Sequence, residues 1–92
     1  MSVLTWRHGT TKPAAITAVR AAVQEAGYAP HVTWTDGHAE ARYGPFASVV
    51  HVLGEVTDDA VVLERCGGLA GGAVLQRCRA LVEKLFPGGE AA

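Results

Sequence analysis

Charge is scarce in this sequence. Only 18% of its 92 residues are Asp, Glu, Lys or Arg, and eight Lys and Arg against nine Asp and Glu leave a formal net charge of -1. The broad positive field of a nucleic-acid-binding surface is therefore missing, and nucleic acid is disfavoured as a partner. Long apolar runs are missing too: none approaches the roughly 18 residues a membrane helix needs. The two cysteines, Cys66 and Cys78, make no disulfide scaffold, and no positively charged start leads into an apolar signal segment. Both observations predict reduced thiols and a cytoplasmic protein. No Cys or His pair has the short spacing of a structural zinc site, and neither G-x-G-x-x-G nor a Walker pattern occurs. No metal and no cofactor are predicted.

What the sequence does have is apolar residues, 49% of the chain. So short a domain buries only about 60–65% of its unfolded surface, so this excess favours a homodimer or a protein partner that covers apolar surface. Residues 1–87 read as one α+β domain and 88–92 as a flexible tail.

The elements follow from spacing and punctuation. Ser2 to Arg7 predicts a short strand. His8-Gly9-Thr10-Thr11 supplies a turn and N-cap, and Pro13 opens a helix on which Ile16, Val19, Val23 and Ala26 recur at spacings of three and four. Gly27 is placed for a left-handed C-cap. After Pro30 the period becomes two, and Asp36-Gly37 is a hairpin signal. With those two residues as the loop, Thr35 faces His38, Trp34 faces Ala39, Thr33 faces Glu40, Val32 faces Ala41 and His31 faces Arg42. One face then carries Val32, Trp34, Ala39, Ala41 and Tyr43, and the other His31, Thr33, Thr35, His38, Glu40 and Arg42.

Gly44-Pro45 predicts a turn, Phe46 to Val56 a longer strand, and Ala60 to Cys66 another after Thr57-Asp58-Asp59. Both late strands are apolar at most positions, which predicts a central place in the sheet. A glycine-rich link leads to a final helix from about Gly72 to Phe86, with Val74, Leu75, Cys78, Leu81, Val82 and Leu85 as its apolar stripe. The order β-α-β-β-β-β-α predicts a two-layer sandwich, one antiparallel sheet of 3–5 strands with both helices on one face. The other sheet face is left open.

Three places could carry chemistry. His31, His38, Glu40 and Arg42 share the open face, and His51 and Glu55 join them if the odd phase of their strand points the same way. Imidazoles beside carboxylates suit acid–base work, with His38 or His51 as base and Glu40 or Arg42 orienting a substrate. The plainer reading is a solvated or dimer-facing surface, which half-buried antiparallel strands normally show. Cys66 lies beside Arg65 ahead of a helix N-terminus, an arrangement that favours thiolate and a nucleophile; a free cysteine ending an apolar run is also an ordinary core residue. Gly67 and Gly68 could present backbone N–H groups to a small anionic ligand with help from Arg65 or Arg77, or could simply allow close packing. If a pocket lies between sheet and helices, Trp34 and Tyr43 line it.

The helix, three-strand, helix order with Gly44-Pro45 before a long strand resembles a double-stranded-RNA-binding domain. Gly71, Gly72 and Ala73 stand where that family has a lysine-rich helix start, so the function does not transfer. Gly88-Gly89 is similar to the glycine pair of ubiquitin-like sulfur carriers, but Glu90-Ala91-Ala92 follows and the order of elements differs. The leading expectation is a small non-catalytic binding or accessory module, dimeric, that engages a protein partner or a small anionic ligand. The alternative is a small enzyme using the sheet-face groups or a Cys66 thiolate.

Overall fold

In a computed structural model, which describes residues 2–92, the chain runs β1 (Leu4–Arg7), α1 (Lys12–Glu25), β2 (Val32–Thr35), β3 (His38–Tyr43), β4 (Val50–Val56), β5 (Ala60–Gly67), α2 (Gly71–Leu85) and β6 (Glu90–Ala91). The strands form one antiparallel sheet in the order β2-β3-β4-β5-β1-β6. Both helices pack on one face of it, an α+β two-layer fold with the apolar late strands β4 and β5 in the middle. Among the described residues no helix is long and apolar enough to cross a membrane.

Local chemistry accounts for the boundaries. The Thr11 side chain accepts from the Ala14 N–H at 3.3 Å and caps α1, with proline in the first turn where its missing N–H leaves nothing unsatisfied. Gly27 leaves the helix at φ 82°, a left-handed conformation that glycine adopts without a Cβ penalty. The β2–β3 register pairs Thr35 with His38, Trp34 with Ala39, Thr33 with Glu40 and Val32 with Ala41. That spacing puts Val32, Trp34, Ala39 and Ala41 under the helices.

The structure departs from the sequence reading at four points. His31 belongs to a short 3-10 turn, Ala29–His31, because Pro30 starts that turn and the His31 N–H donates to the Tyr28 carbonyl at 2.9 Å. It therefore has no strand partner in Arg42; that residue pairs with His51. Phe46 to Val49 are not strand: Phe46 and Ala47 take φ of 54° and 57°, and the Val49 N–H closes the loop onto the Tyr43 carbonyl, so β4 begins at Val50. A β-bulge near Leu53 and Gly54 leaves Glu64 as the extra residue of β5. Cys66 consequently pairs with Val52 and turns to the helix face, out of phase with Val62. Finally, Glu90–Ala91, expected as tail, pairs with Arg7 and Trp6 as a sixth strand.

The core is small. Leu4, Ala15, Val56, Val61, Leu63, Val82 and Phe86 form its buried cluster, gathered where the N-terminal half of α1 and the C-terminal half of α2 meet β1, β4 and β5. One polar side chain lies among these apolar neighbours: His8 is 3% exposed. Its Nδ1 accepts from the Thr10 N–H at 3.1 Å, which leaves the proton on Nε2 to donate to the Thr57 carbonyl at 3.0 Å. His8 thus ties the turn before α1 to the β4–β5 turn, and its burial is satisfied on both nitrogens.

Candidate functional site

Alanine dominates where large side chains would be needed to fill the fold. The sheet floor beneath the open ends of the helices holds Ala39, Ala41 and Gly54, and the second half of α1 and its C-cap present Ala22 and Ala26. These residues leave too little volume to fill the space between the layers. The result is a cavity of about 750 Å³ bounded by α1, α2 and the strands β2 to β5. Its size is within the ~300–1,000 Å³ range of small-molecule sites. Val32, Trp34, Val50 and Val52 complete the floor, Val19 and Val23 one wall, and Val74, Cys78 and Leu81 the other. Arg20 lies over the Trp34 ring at 5.4 Å from its centroid and holds it in place. The accessible surface, 5806 Å² for 9.6 kDa, exceeds the ~5,100 Å² expected of a monomer this size, as an unfilled opening requires.

The rim is polar and exposed. Tyr28 and Tyr43 line the cavity yet remain about half exposed, 46% and 53%. His31 stands edge-on to Tyr43, ring centroids 5.0 Å apart. Across the opening, Arg77 Nη1 of α2 donates to the Tyr28 hydroxyl at 2.8 Å. This bond ties the segment that follows α1 to α2.

Of the residues singled out from the sequence, His31, Trp34, Tyr43 and Arg42 border this cavity. The Arg42 guanidinium, however, is held on the opposite sheet face by Glu40, Nε to Oε2 at 3.2 Å. On that face the odd phase of β4 does join β3. His51 Nε2 lies 2.9 Å from the same Glu40 oxygen, and His38 Nε2 lies 2.9 Å from Glu55. The His51 hydrogen bond, aided by Arg42, holds the Glu40 carboxyl below its ordinary 4.5 despite partial desolvation. A group with a depressed folded pKa contributes stability above its unfolded pKa and loses it as pH falls. The melting temperature should therefore drop as pH falls from about 6 to about 3, and Glu40→Gln should start lower at the upper end and decline less steeply. Equal slopes for the two proteins would remove Glu40 from the acid response. Among the described residues, no group of three or more His, Cys, Asp or Glu side chains is arranged to hold a metal ion.

The glycine link and its cysteine look different from their sequence reading. The N–H groups of Leu69, Ala70 and Gly71 donate to the carbonyls of Ser48, Val49 and Gly68 at 2.9–3.1 Å. Those amides face the protein's own backbone. Cys66 Sγ donates to the Gly71 carbonyl at 3.1 Å, and burial pushes its thiol pKa up. The expectation of a favoured thiolate is thereby corrected: the bulge carries the sulfur under α2, away from Arg65, which lies in the opposite phase beside Leu53. Cys78, in the cavity wall, is pushed up from 9.0 to about 11, first by burial and then by Cys66. That shift cuts its thiolate fraction about a hundredfold. Cys78 should react with iodoacetamide at about pH 8 at least tenfold more slowly than in the guanidinium-unfolded chain, and Cys66 should also be slowed; an equal rate at Cys78 would contradict its burial.

The cavity and its rim are what sequence reasoning reached least. The expectation that Trp34 and Tyr43 line any pocket between sheet and helices agrees with their place here, and the alanines facing Trp34 and the valines are the signal for the space itself. The fold and this space define an α+β two-layer protein with an apolar pocket between its layers. Comparison with protein-family models, curated proteins and solved structures finds no match to this chain.

Proposed function

We propose that the protein is a non-catalytic binding module that holds a small, largely apolar molecule between its helices and sheet. The observation that carries this reading is the 750 Å³ cavity with a predominantly apolar floor and walls. Displacing water from such a surface is favourable by about 25 cal/mol per Å² buried, and few polar groups inside restrict what enters. A titration with Nile red, an uncharged dye that brightens in apolar sites, tests it. Saturable binding of one dye per chain supports the reading. No binding by a protein that sediments as a monomer sinks it, and no binding by a dimer assigns the cavity to a second copy instead.

A second reading has its own observation. His51 and Glu40 form a base with an orienting carboxylate at 2.9 Å, beside a shallow depression that Thr33, Thr35 and His38 border. This is the geometry of general-base catalysis on the open face. Any hydrolytic or proton-transfer activity found for the protein should fall at least about a hundredfold in His51→Ala if this reading holds, and should survive if the face is only solvated surface.

A further inference from the structure

The rim is built asymmetrically in charge, and that asymmetry describes one end of the ligand. Four residues that border the cavity carry ionisable nitrogen or carboxyl groups: His31, Arg42, Glu55 and Arg77. Two of them are engaged on the far side of the sheet, Arg42 with Glu40 at 3.2 Å and Glu55 with His38 at 2.9 Å. Arg77 is different. Its Nη1 donates to the Tyr28 hydroxyl at 2.8 Å, and among the described residues it forms no ion pair with a carboxylate. The Tyr28 oxygen accepts that bond and retains its own proton to donate. A full positive charge and a phenolic O–H therefore stand together at the opening of an otherwise apolar space.

Resting on the binding reading above, we infer that the ligand is an amphipathic carboxylate: an alkyl or similar apolar body in the cavity, with its carboxylate at the Arg77–Tyr28 pair. The planar guanidinium accepts a carboxylate in paired hydrogen bonds, and the Tyr28 O–H supplies a further donor. His31, held edge-on against Tyr43 at the same rim, adds a ring nitrogen within the polar end. The chain enters from the exposed end, because Tyr28 and Tyr43 are both lining and exposed there, while the opposite end is closed by the Val56, Leu63 and Val82 cluster.

The test is displacement of Nile red by decanoate and by 1-decanol, which share a chain and differ in the head group. In the wild type both should displace the dye. Arg77→Gln should weaken decanoate about tenfold or more, the loss expected of one charge-assisted contact, and leave decanol within about twofold. Arg77→Lys should recover part of the decanoate affinity, and Tyr28→Phe should weaken decanoate by a smaller factor. Arg77 is exposed on α2, so its substitution leaves the fold intact, which an unchanged melting temperature checks. Equal losses for acid and alcohol, or no loss for either, overturn the head-group assignment while the cavity reading stands. Failure of both compounds to displace bound dye from wild type overturns the carboxylate assignment, whereas failure of the dye itself to bind the monomer overturns the cavity reading.

Discussion

Gly68→Ala is expected to destabilise the protein by about 3 kcal/mol or more, lowering the melting temperature by roughly 12–24 °C for a domain of this size. Gly68 sits at φ 93°, in the left-handed region, and a Cβ there would meet the Val49 carbonyl carbon at 2.6 Å. An alanine in that conformation costs about 1–3 kcal/mol in backbone strain alone. The backbone cannot relax cheaply either. Leu69 and Ala70 donate to Ser48 and Val49 at 3.0 and 2.9 Å, so moving the link breaks bonds worth about 1 kcal/mol each. These bonds also set the start of α2, and with it the position of Arg77. The neighbouring Gly72 predicts the opposite sign. It lies inside α2 with nothing near its missing side chain, so Gly72→Ala should stabilise by about 0.5–1 kcal/mol. Thermal melts of the two variants check both; a Gly68→Ala protein melting within a few degrees of wild type would mean that the link does not pack on the 44–49 loop.

Ala41→Phe should occupy part of the cavity, raise stability and weaken dye binding in one step. Ala41 lies in β3 between Val32 and Val52 and borders the cavity floor. A phenyl ring placed there enters space of about 750 Å³ and meets no well-packed core, so the usual cost of overpacking does not arise. Burying the ring against Trp34, Val52 and the helix walls should contribute about 1–2 kcal/mol. Nile red and decanoate would then lose the part of the floor that the ring covers and bind more weakly. A variant that is destabilised yet binds dye as wild type does would show that the helices close over this floor in solution and that the dye sits elsewhere.

Much of the fold was legible because the signals were local. Thr11 and Pro13 mark the start of α1, Gly27 its end, and the alternation around Asp36-Gly37 sets the β2–β3 register residue by residue. A one-residue slip there would have turned Trp34 to water. The central position of β4 and β5 followed from their apolar composition. The open-face pairing of His38, Glu40, His51 and Glu55 followed once β3 and β4 were set in phase.

Other features depend on contacts between residues far apart in the chain, and no local pattern reports them. Cys66 changed face because of a bulge at Glu64, which arises from the pairing of β4 with β5. His31 is a local exception: Pro30 beside it starts a 3-10 turn that removes it from the sheet, a signal the strand alternation hides. The amides of Leu69 and Ala70 after the glycine pair are taken up by the 44–49 loop, which no local pattern announces. The meeting of Tyr28 with Arg77 spans 49 positions of sequence, and the space it closes is a property of two helices and four strands together. The sequence by itself determined which residues are apolar, the caps of α1, and the register and helix-facing side of β2 and β3, because these follow from neighbours within a few residues. Only the tertiary structure decided that the layers meet incompletely and leave a cavity with a cationic rim, because a void is the difference between the separation the fold sets and the volume its alanines supply.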